Sequence, residues 1–207
     1  MSFAMPLRRP WWMVRPMELR IDVGERPGRS QEEEFESIHG RLRAPGDRLH
    51  GIPSVPLNDP ALRIRHREAD GEYYVYVEDV LQQRLAGYTV FNRLIELSRA
   101  ADRHLRAPHS RYAPDYQRRG LASAVYRWGL DAGLCLITGA RQSPGAHALW
   151  HALARHYEQG YVDLRDKTLT YLGREVSPQV LGELHTRMIL LGDGWTVSRL
   201  FAATGMR

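Results

Sequence analysis

From Tyr112 to Ser123 the chain reads Tyr-Ala-Pro-Asp-Tyr-Gln-Arg-Arg-Gly-Leu-Ala-Ser. Pro114 has no N–H and ends any central ladder that precedes it. From Leu121 onward the apolar spacing becomes helical, with Leu121, Val125, Trp128 and Ala132 on one stripe. Gly120 therefore sits where a helix begins. The first amides of a helix have no partner within it and carry the positive end of its dipole. Gln117 to Ala122 would present successive N–H groups to an anion, with Gly120 and Ala122 small enough for close approach and Arg118 and Arg119 adding flanking charge. That chemistry suits a pyrophosphate. The same residues also read as a plain strand–helix turn with surface arginines.

The elements around this turn are legible from period and punctuation. Residues 12–23 read as a strand, and Ser30 with Glu33 forms a capping box ahead of a helix whose apolar face is Phe35, Ile38 and Leu42. A Pro- and Gly-rich loop spans 44–60. Leu62 and Ile64 begin an alternating strand, Asp70-Gly71 supplies a hairpin turn, and Tyr73, Val75 and Val77 alternate on the return. A further strand is expected over 85–97, with a helix over 92–101 as the alternative, and another strand from His104 to Tyr112. After the helix that starts near Gly120 and stops at Gly133, residues 134–138 form a short strand buried on both faces. Ser143-Pro144 opens a second helix, with Ala146, Leu149, Trp150, Leu153 and Tyr157 as its stripe and Gly160 as its stop. Two strands flank Arg165-Asp166-Lys167, Ser177-Pro178 caps a short helix, and the segments RMILLG and WTVSRLFAATGM read as a last strand and helix. This order predicts a mixed α/β (α+β) fold, mostly antiparallel, in a single domain over 1–207. Its core lies at about 62–172, with an N-terminal strand and helix over 12–43 and a C-terminal extension over 174–207.

Composition excludes more than it selects. At 207 residues, 43% apolar and 26% charged, the chain can bury a substantial core. No run approaches the roughly 18 apolar residues that span a bilayer, and the N-terminus lacks a signal-like apolar region, so a cytoplasmic location is expected. A single cysteine, Cys135, rules out an intramolecular disulfide and any multi-cysteine metal site. The net charge of +5 suits an acidic partner without selecting one. Its 29 basic residues are 28 arginines and one lysine, Lys167, a ratio that genomic base composition accounts for. No interleaved aromatic and basic motif of the base-stacking kind occurs, so direct nucleic-acid binding is not expected.

The segment Ser-Arg-Tyr-Ala-Pro-Asp-Tyr-Gln-Arg-Arg-Gly-Leu-Ala-Ser-Ala-Val resembles the acyl-CoA-binding motif of the GNAT superfamily of N-acetyltransferases. In that pattern an apolar strand and a Pro-x-Tyr precede Gln/Arg-x-x-Gly-x-Gly/Ala at a helix start, and Pro114, Tyr116, Gln117, Gly120 and Ala122 match it. Element order is similar over 62–172. The resemblance implies a GNAT-like sheet flanked by helices. It implies acetyl-CoA as cofactor, with its pyrophosphate on the amides of Gln117, Arg118, Arg119, Gly120, Leu121, Ala122 and Ser123 and its pantetheine arm along the backbone around Tyr112. The activity implied is acetyl transfer to an amine on a small molecule, a protein or an aminoacyl-tRNA. The chain departs from the family on the second helix, where Ser143 and Trp150 fall at the positions of the usual Asn and Tyr. Tyr157, one residue out of register, is the remaining candidate for the acid that protonates the departing thiolate. Glu96 and His109, on the strands expected beside the thioester, with His104 near, are candidate bases.

Two further readings compete: a GNAT-fold protein without catalysis that binds and modulates a protein partner through Trp11 and Trp12, and a nucleic-acid binder. A homodimer is compatible with all three.

Overall fold

The computed structural model describes residues 30–207. The strand expected over 12–23 and the Trp11-Trp12 pair lie outside the described residues.

Helix α1 (Gln31–Arg43) begins one residue after Ser30 and buries Phe35 and Leu42. The 44–60 loop contains one short strand, β1 (Ser54–Pro56), which pairs with β2 (Leu62–Ala69). Strands β2 and β3 (Glu72–Asp79) turn on Asp70 (φ 53°) and Gly71 (φ 76°). Two consecutive left-handed residues are what a tight two-residue hairpin requires, because their twist matches that of the strands. The hairpin of β7 (Gln159–Arg165) and β8 (Thr168–Gly173) repeats this at Asp166 (φ 48°) and Lys167 (φ 61°) without a glycine. Strand β4 (Arg84–Asn92) pairs with β3, and β5 (Leu105–Tyr112) with β4.

The expected strand over 85–97 ends at Asn92. Residues beyond it leave the sheet because Asp102 collects them: its carboxylate accepts from Arg93 Nε at 2.7 Å and from the Leu94 amide at 3.0 Å. Ser98 then caps a single helical turn, α2 (Arg99–Asp102). The helical alternative thus holds only for its last three residues, 99–101.

Helix α3 (Leu121–Asp131) starts directly after Gly120, and Gly133 (φ 87°) follows its C-cap. Its buried face is Leu121, Val125, Tyr126, Gly129 and Leu130, rotated from the expected stripe, and Trp128 lies at the flank against His66. Gly129 explains the rotation, since a Cβ there would meet Phe91 Cζ at 2.9 Å, so the helix lies close on the sheet. Strand β6 (Cys135–Ile137) and helix α4 (Pro144–Leu153) follow, with Ser143 accepting from the Ala146 amide as the N-cap. Helix α4 ends at Leu153 and not at Gly160, which lies within β7. That position needs glycine because a Cβ would meet Tyr171 Cε2 at 2.5 Å.

Helix α5 (Pro178–Leu181), β9 (Thr186–Leu190) and α6 (Val197–Thr204) complete the chain. The sheet order is β1-β2-β3-β4-β5-β6-β9-β7-β8, so the segment after residue 174 supplies a strand inserted between β6 and β7. Every neighbouring pair is antiparallel except β5–β6. The fold is mixed α/β with a nine-stranded, mostly antiparallel sheet, counted over the described residues.

Two cores cover the two faces. On one, Leu121, Val125, Tyr126 and Leu130 of α3 and Trp150 and Leu153 of α4 pack on Val75, Val77, Phe91, Tyr112 and Leu190. On the other, Ala101 of α2 and Leu200 of α6 pack on Leu105, Cys135, Ile137 and Ile189. Helix α1 lies on this second face too, where Phe35 meets Tyr88 edge-on. Burying each such large apolar side chain contributes roughly 1.5–3 kcal/mol.

Candidate functional site

The sheet opens at its one parallel pair. Strands β5 and β6 are in register only at Leu105↔Cys135 and Arg106↔Leu136. Strand β6 then ends, while β5 runs on to Tyr112. From Ala107 onward the second edge of β5 has no strand partner among the described residues, and Ala107 to Arg111 are half-buried beside a fully buried stretch of β4. The Ala113 amide donates to Ala86 O, and by alternation from there Pro108, Ser110 and Tyr112 direct their backbone groups to the open edge. Pro108 has no N–H to leave unpaired, which suits an edge position.

The turn expected to hold an anion stands at the end of this edge. A 3-10 turn (Pro114–Tyr116) leads to Gln117, then to Arg118 at φ 59° and Gly120 at φ 79°. Gly120 is the N-cap of α3, and no side chain caps it. The Ala124 amide makes the first helical bond, to Gly120 O, so the amides of Leu121, Ala122 and Ser123 precede the intrahelical ladder. Among the described residues, an added Cβ on Gly120 would meet nothing within 4 Å. Its glycine is required by the left-handed backbone, and the space beside it is open. Arg118, Arg119 and Gly120 are exposed. Arg119 leans back, ion-paired to Asp59 at 3.4 Å and 5.1 Å above the Tyr116 ring.

Tyr116 is what fixes the turn. It is buried; its hydroxyl donates to Asp79 Oδ2 at 2.7 Å and accepts from Arg84 Nε at 3.0 Å. The Gln117 side chain is committed to the protein, donating to Tyr112 O at 3.0 Å, and Gln31 of α1 donates to the same carbonyl at 3.1 Å. At Tyr112, then, the N–H and not the carbonyl is left for an arm lying along the edge.

On the α1 face, Leu105, Ala107, His109 and Arg111 alternate along β5. Arg111 Nη1 donates to Glu34 Oε2 at 2.9 Å, and Tyr88 donates to Glu34 Oε1 at 3.0 Å. His109 is half-buried beside this group. Burial, and secondarily the Arg111 charge, hold its pKa below the usual histidine value against a smaller opposing pull from Glu34. Its imidazole is neutral at pH 7 and able to accept a proton.

On the α3 face the same strand carries hydroxyls. Thr89 Oγ1 lies 2.8 Å from Ser110 Oγ and 3.1 Å from the Tyr112 hydroxyl, and Ser110 Oγ donates to the Tyr126 hydroxyl at 3.4 Å. Burial pushes Tyr126 up to about 12. Sequence reading missed this group, as it missed Glu34, Asp79 and Arg84. The only trace in the sequence is a tyrosine one position off the α3 stripe.

The remaining candidates stand elsewhere. Glu96 is not on a strand; it follows the end of β4, is mostly exposed, and faces Arg187 at 3.7 Å. His104 precedes β5 and stacks on Trp195 at 5.1 Å, with its pKa lowered mainly by burial. Tyr157 lies between α4 and β7 and donates to Asp131 at 2.6 Å, at the far end of α3 from Gly120. Burial and Asp131 push it up to about 12, which weakens it as an acid. The structure therefore gathers His109, Tyr112 and residues 117–123 along one edge and leaves Glu96 and Tyr157 off it.

No family model matches the sequence, and no curated protein matches it. Solved structures do resemble it. One is a GNAT superfamily phosphinothricin acetyltransferase from Sinorhizobium meliloti in complex with AcCoA (22% identity, TM-score 0.38, covering 60% of this chain and 63% of that one). Another is a spermidine N-acetyltransferase from Vibrio cholerae (20%, TM-score 0.36, 60% and 66%). A third is a ribosomal-protein-S5-alanine acetyltransferase from Vibrio fischeri (11%, TM-score 0.39, 70% and 99%). The chain thus spans slightly less than two thirds of the first two.

Proposed function

We propose that the protein transfers an acetyl group from acetyl-CoA to an amine. The observation that supports this most is the junction of a strand edge and a helix N-terminus that, among the described residues, have no strand partner and no side-chain cap. A pyrophosphate with a peptide-like arm needs both at once: successive amides and a helix dipole for the anion, and a free backbone edge for the arm. Residues 117–123 fit the first demand, with open space at Gly120 and flanking charge from Arg118 and Arg119. Ser110 and the Tyr112 N–H fit the second.

When bound, acetyl-CoA supplies an activated acyl carbonyl. The chain's own part is positioning and proton handling. The α3 face receives the cofactor, and the acceptor amine approaches from the α1 face. There His109, held neutral by burial, takes the amine's proton directly or through water. Glu34 holds Arg111 and Tyr88 in place on the same face. Ser110, hydrogen-bonded to Tyr126, is the hydroxyl on the cofactor side that would donate a hydrogen bond to the departing thiolate, which takes its proton from solvent.

Calorimetric titration with acetyl-CoA, CoA and 3′-dephospho-CoA tests the reading, followed by a screen of amine acceptors. Micromolar acetyl-CoA binding that is weakened tenfold or more in Gly120→Glu supports it. A folded protein with no measurable affinity for any of the three refutes it.

A further inference from the structure

Beyond Ile137, where β6 stops, the strand facing β5 across the gap is β9. Its register with β6 (Leu136↔Leu190, Ile137↔Ile189) places Arg187 two residues past the end of β6. Arg187 shares a face with Ile189, the α2 and α6 face on which His109 also lies. There it lines a cleft of about 670 Å³ with Glu96, Arg141, Arg165, Asp166, Lys167 and His185.

Arg187 is an unusual wall for such a cleft. Its side chain is only 5% exposed, and its Nε is buried without a hydrogen-bond partner among the described residues. One Nη donates to the carbonyls of Leu184 and Thr186. Among the described residues the other pairs with Glu96 alone, at 3.7 Å, and that carboxylate is 60% exposed. Burial lowers the Arg187 pKa against smaller opposing pulls from the Glu96 and Asp163 carboxylates, so the charge is desolvated and only partly compensated. A buried guanidinium in that condition costs stability unless an anion completes it. Arg165 is not the answer, since it is engaged by Asp163 at 3.0 Å and Glu183 at 2.8 Å. Arg141 and Lys167 add positive charge from the loop after β6 and from the β7–β8 turn.

We infer that this cleft binds the anionic end, carboxylate or phosphate, of the amine acceptor, with Arg187 as its recognition residue. The inference rests on the acetyl-transfer reading for the word acceptor, but the anion preference itself does not. Guanidinium forms a fork that matches either oxyanion, which a lysine would not do as well. Glu96, the loose partner, is the group an incoming anion would displace.

The test is calorimetry without acetyl-CoA, using O-phosphoethanolamine, β-alanine and ethanolamine as probes. The first two carry an amine with a phosphate or a carboxylate, and the third lacks the anion. At least one of the first two is expected to bind tenfold or more tighter than ethanolamine, and their order identifies the oxyanion. Arg187→Gln should abolish the preference while leaving acetyl-CoA affinity unchanged. Because Arg187 also ties down two carbonyls, the double variant Arg141→Gln/Lys167→Gln provides a second measure. It should keep its melting temperature, weaken the anionic probe severalfold and flatten its salt dependence. Equal affinity for all three probes overturns the inference, as does a preference that survives both variants. Failure of acetyl transfer with the anion preference intact would count against the proposed activity and leave the cleft as described.

Discussion

Two substitutions at Gly120 separate backbone geometry from charge. Gly120 sits at φ 79°, ψ 5°, and an added Cβ meets nothing within 4 Å. Alanine therefore bears only the left-handed backbone penalty, about 1–2 kcal/mol of stability, with no clash against protein. Glutamate bears the same penalty and also places a carboxylate over the amides of Leu121, Ala122 and Ser123. Two unit charges about 4 Å apart repel by about 1 kcal/mol in water and about 4 kcal/mol at the dielectric of a protein surface. The exposure of Arg118 and Arg119 favours the lower half of that range. Glutamate should thus bind acetyl-CoA about 5–70-fold more weakly than alanine, while both variants melt at nearly the same temperature. Calorimetry at two salt concentrations is the assay, and the gap between the variants should narrow as salt screens it. Equal affinity in the two folded variants would refute the placement of an anion at this turn.

His109→Gln should lower kcat/KM by about 10²–10⁴-fold and remove an acid limb that, in the wild type, breaks below pH 6.5; a limb that persists in the variant assigns the base elsewhere. Tyr157→Phe should leave kcat within about threefold, because its hydroxyl is spent on Asp131; a hundredfold loss would restore it as the acid. Gly87→Ala should destabilise by about 3 kcal/mol in chemical denaturation, since its Cβ would meet Arg111 O at 2.4 Å and Tyr112 Cα at 2.7 Å; near-neutrality would mean the β4–β5 pair relaxes freely. Burial lowers His104, His109 and His151, so the folded state binds their protons more weakly than the unfolded state. Their contribution is present above about pH 6.5 and is lost as pH falls through the lowered values, so the melting temperature should drop between pH 7 and pH 5, by less in His109→Gln.

The parts of this architecture that were legible in the sequence are those set by local chemistry. Asp70-Gly71 fixed one hairpin, Ser143-Pro144 one helix start, and Gly120 with Gly133 the two ends of α3. The turn at 117–123 was readable for the same reason: its amides, glycine and arginines are contiguous. What could not be read is set by partners distant along the chain. Gly160 looked like a helix stop, but its role is to admit the Tyr171 ring. Glu96 sat in an apolar run that would have continued β4 had Asp102 not drawn Arg93 and Leu94 aside. Tyr116 read as part of a motif, yet its partners Asp79 and Arg84 come from β3 and β4, and no spacing announces them. The insertion of β9 between β6 and β7 creates the wall that carries Arg187, and sheet order leaves no local mark on sequence.

In the proposed reaction the two faces of β5 also decide how the acyl group would travel. A covalent acyl-enzyme needs a nucleophile with a base beside it and access to the cofactor. Cys135 fails on both counts: it is fully buried on β6, on the face away from α3, and burial pushes its thiol up to about 11. Ser110 reaches the cofactor side, but its hydrogen-bond partners are hydroxyls of Thr89 and Tyr126, which cannot activate it. His109 lies one residue away, and alternation sends it to the opposite face of the strand. The proposed base and the nearest hydroxyl are therefore on different sides of the sheet, an arrangement that suits an amine and a thioester meeting through the gap. Initial-rate plots should intersect, as a ternary complex requires, and Cys135→Ala should retain kcat within about twofold. Parallel plots, together with an acetyl adduct on Cys135 or Ser110 by mass spectrometry, would show that the acyl group stops on the protein first.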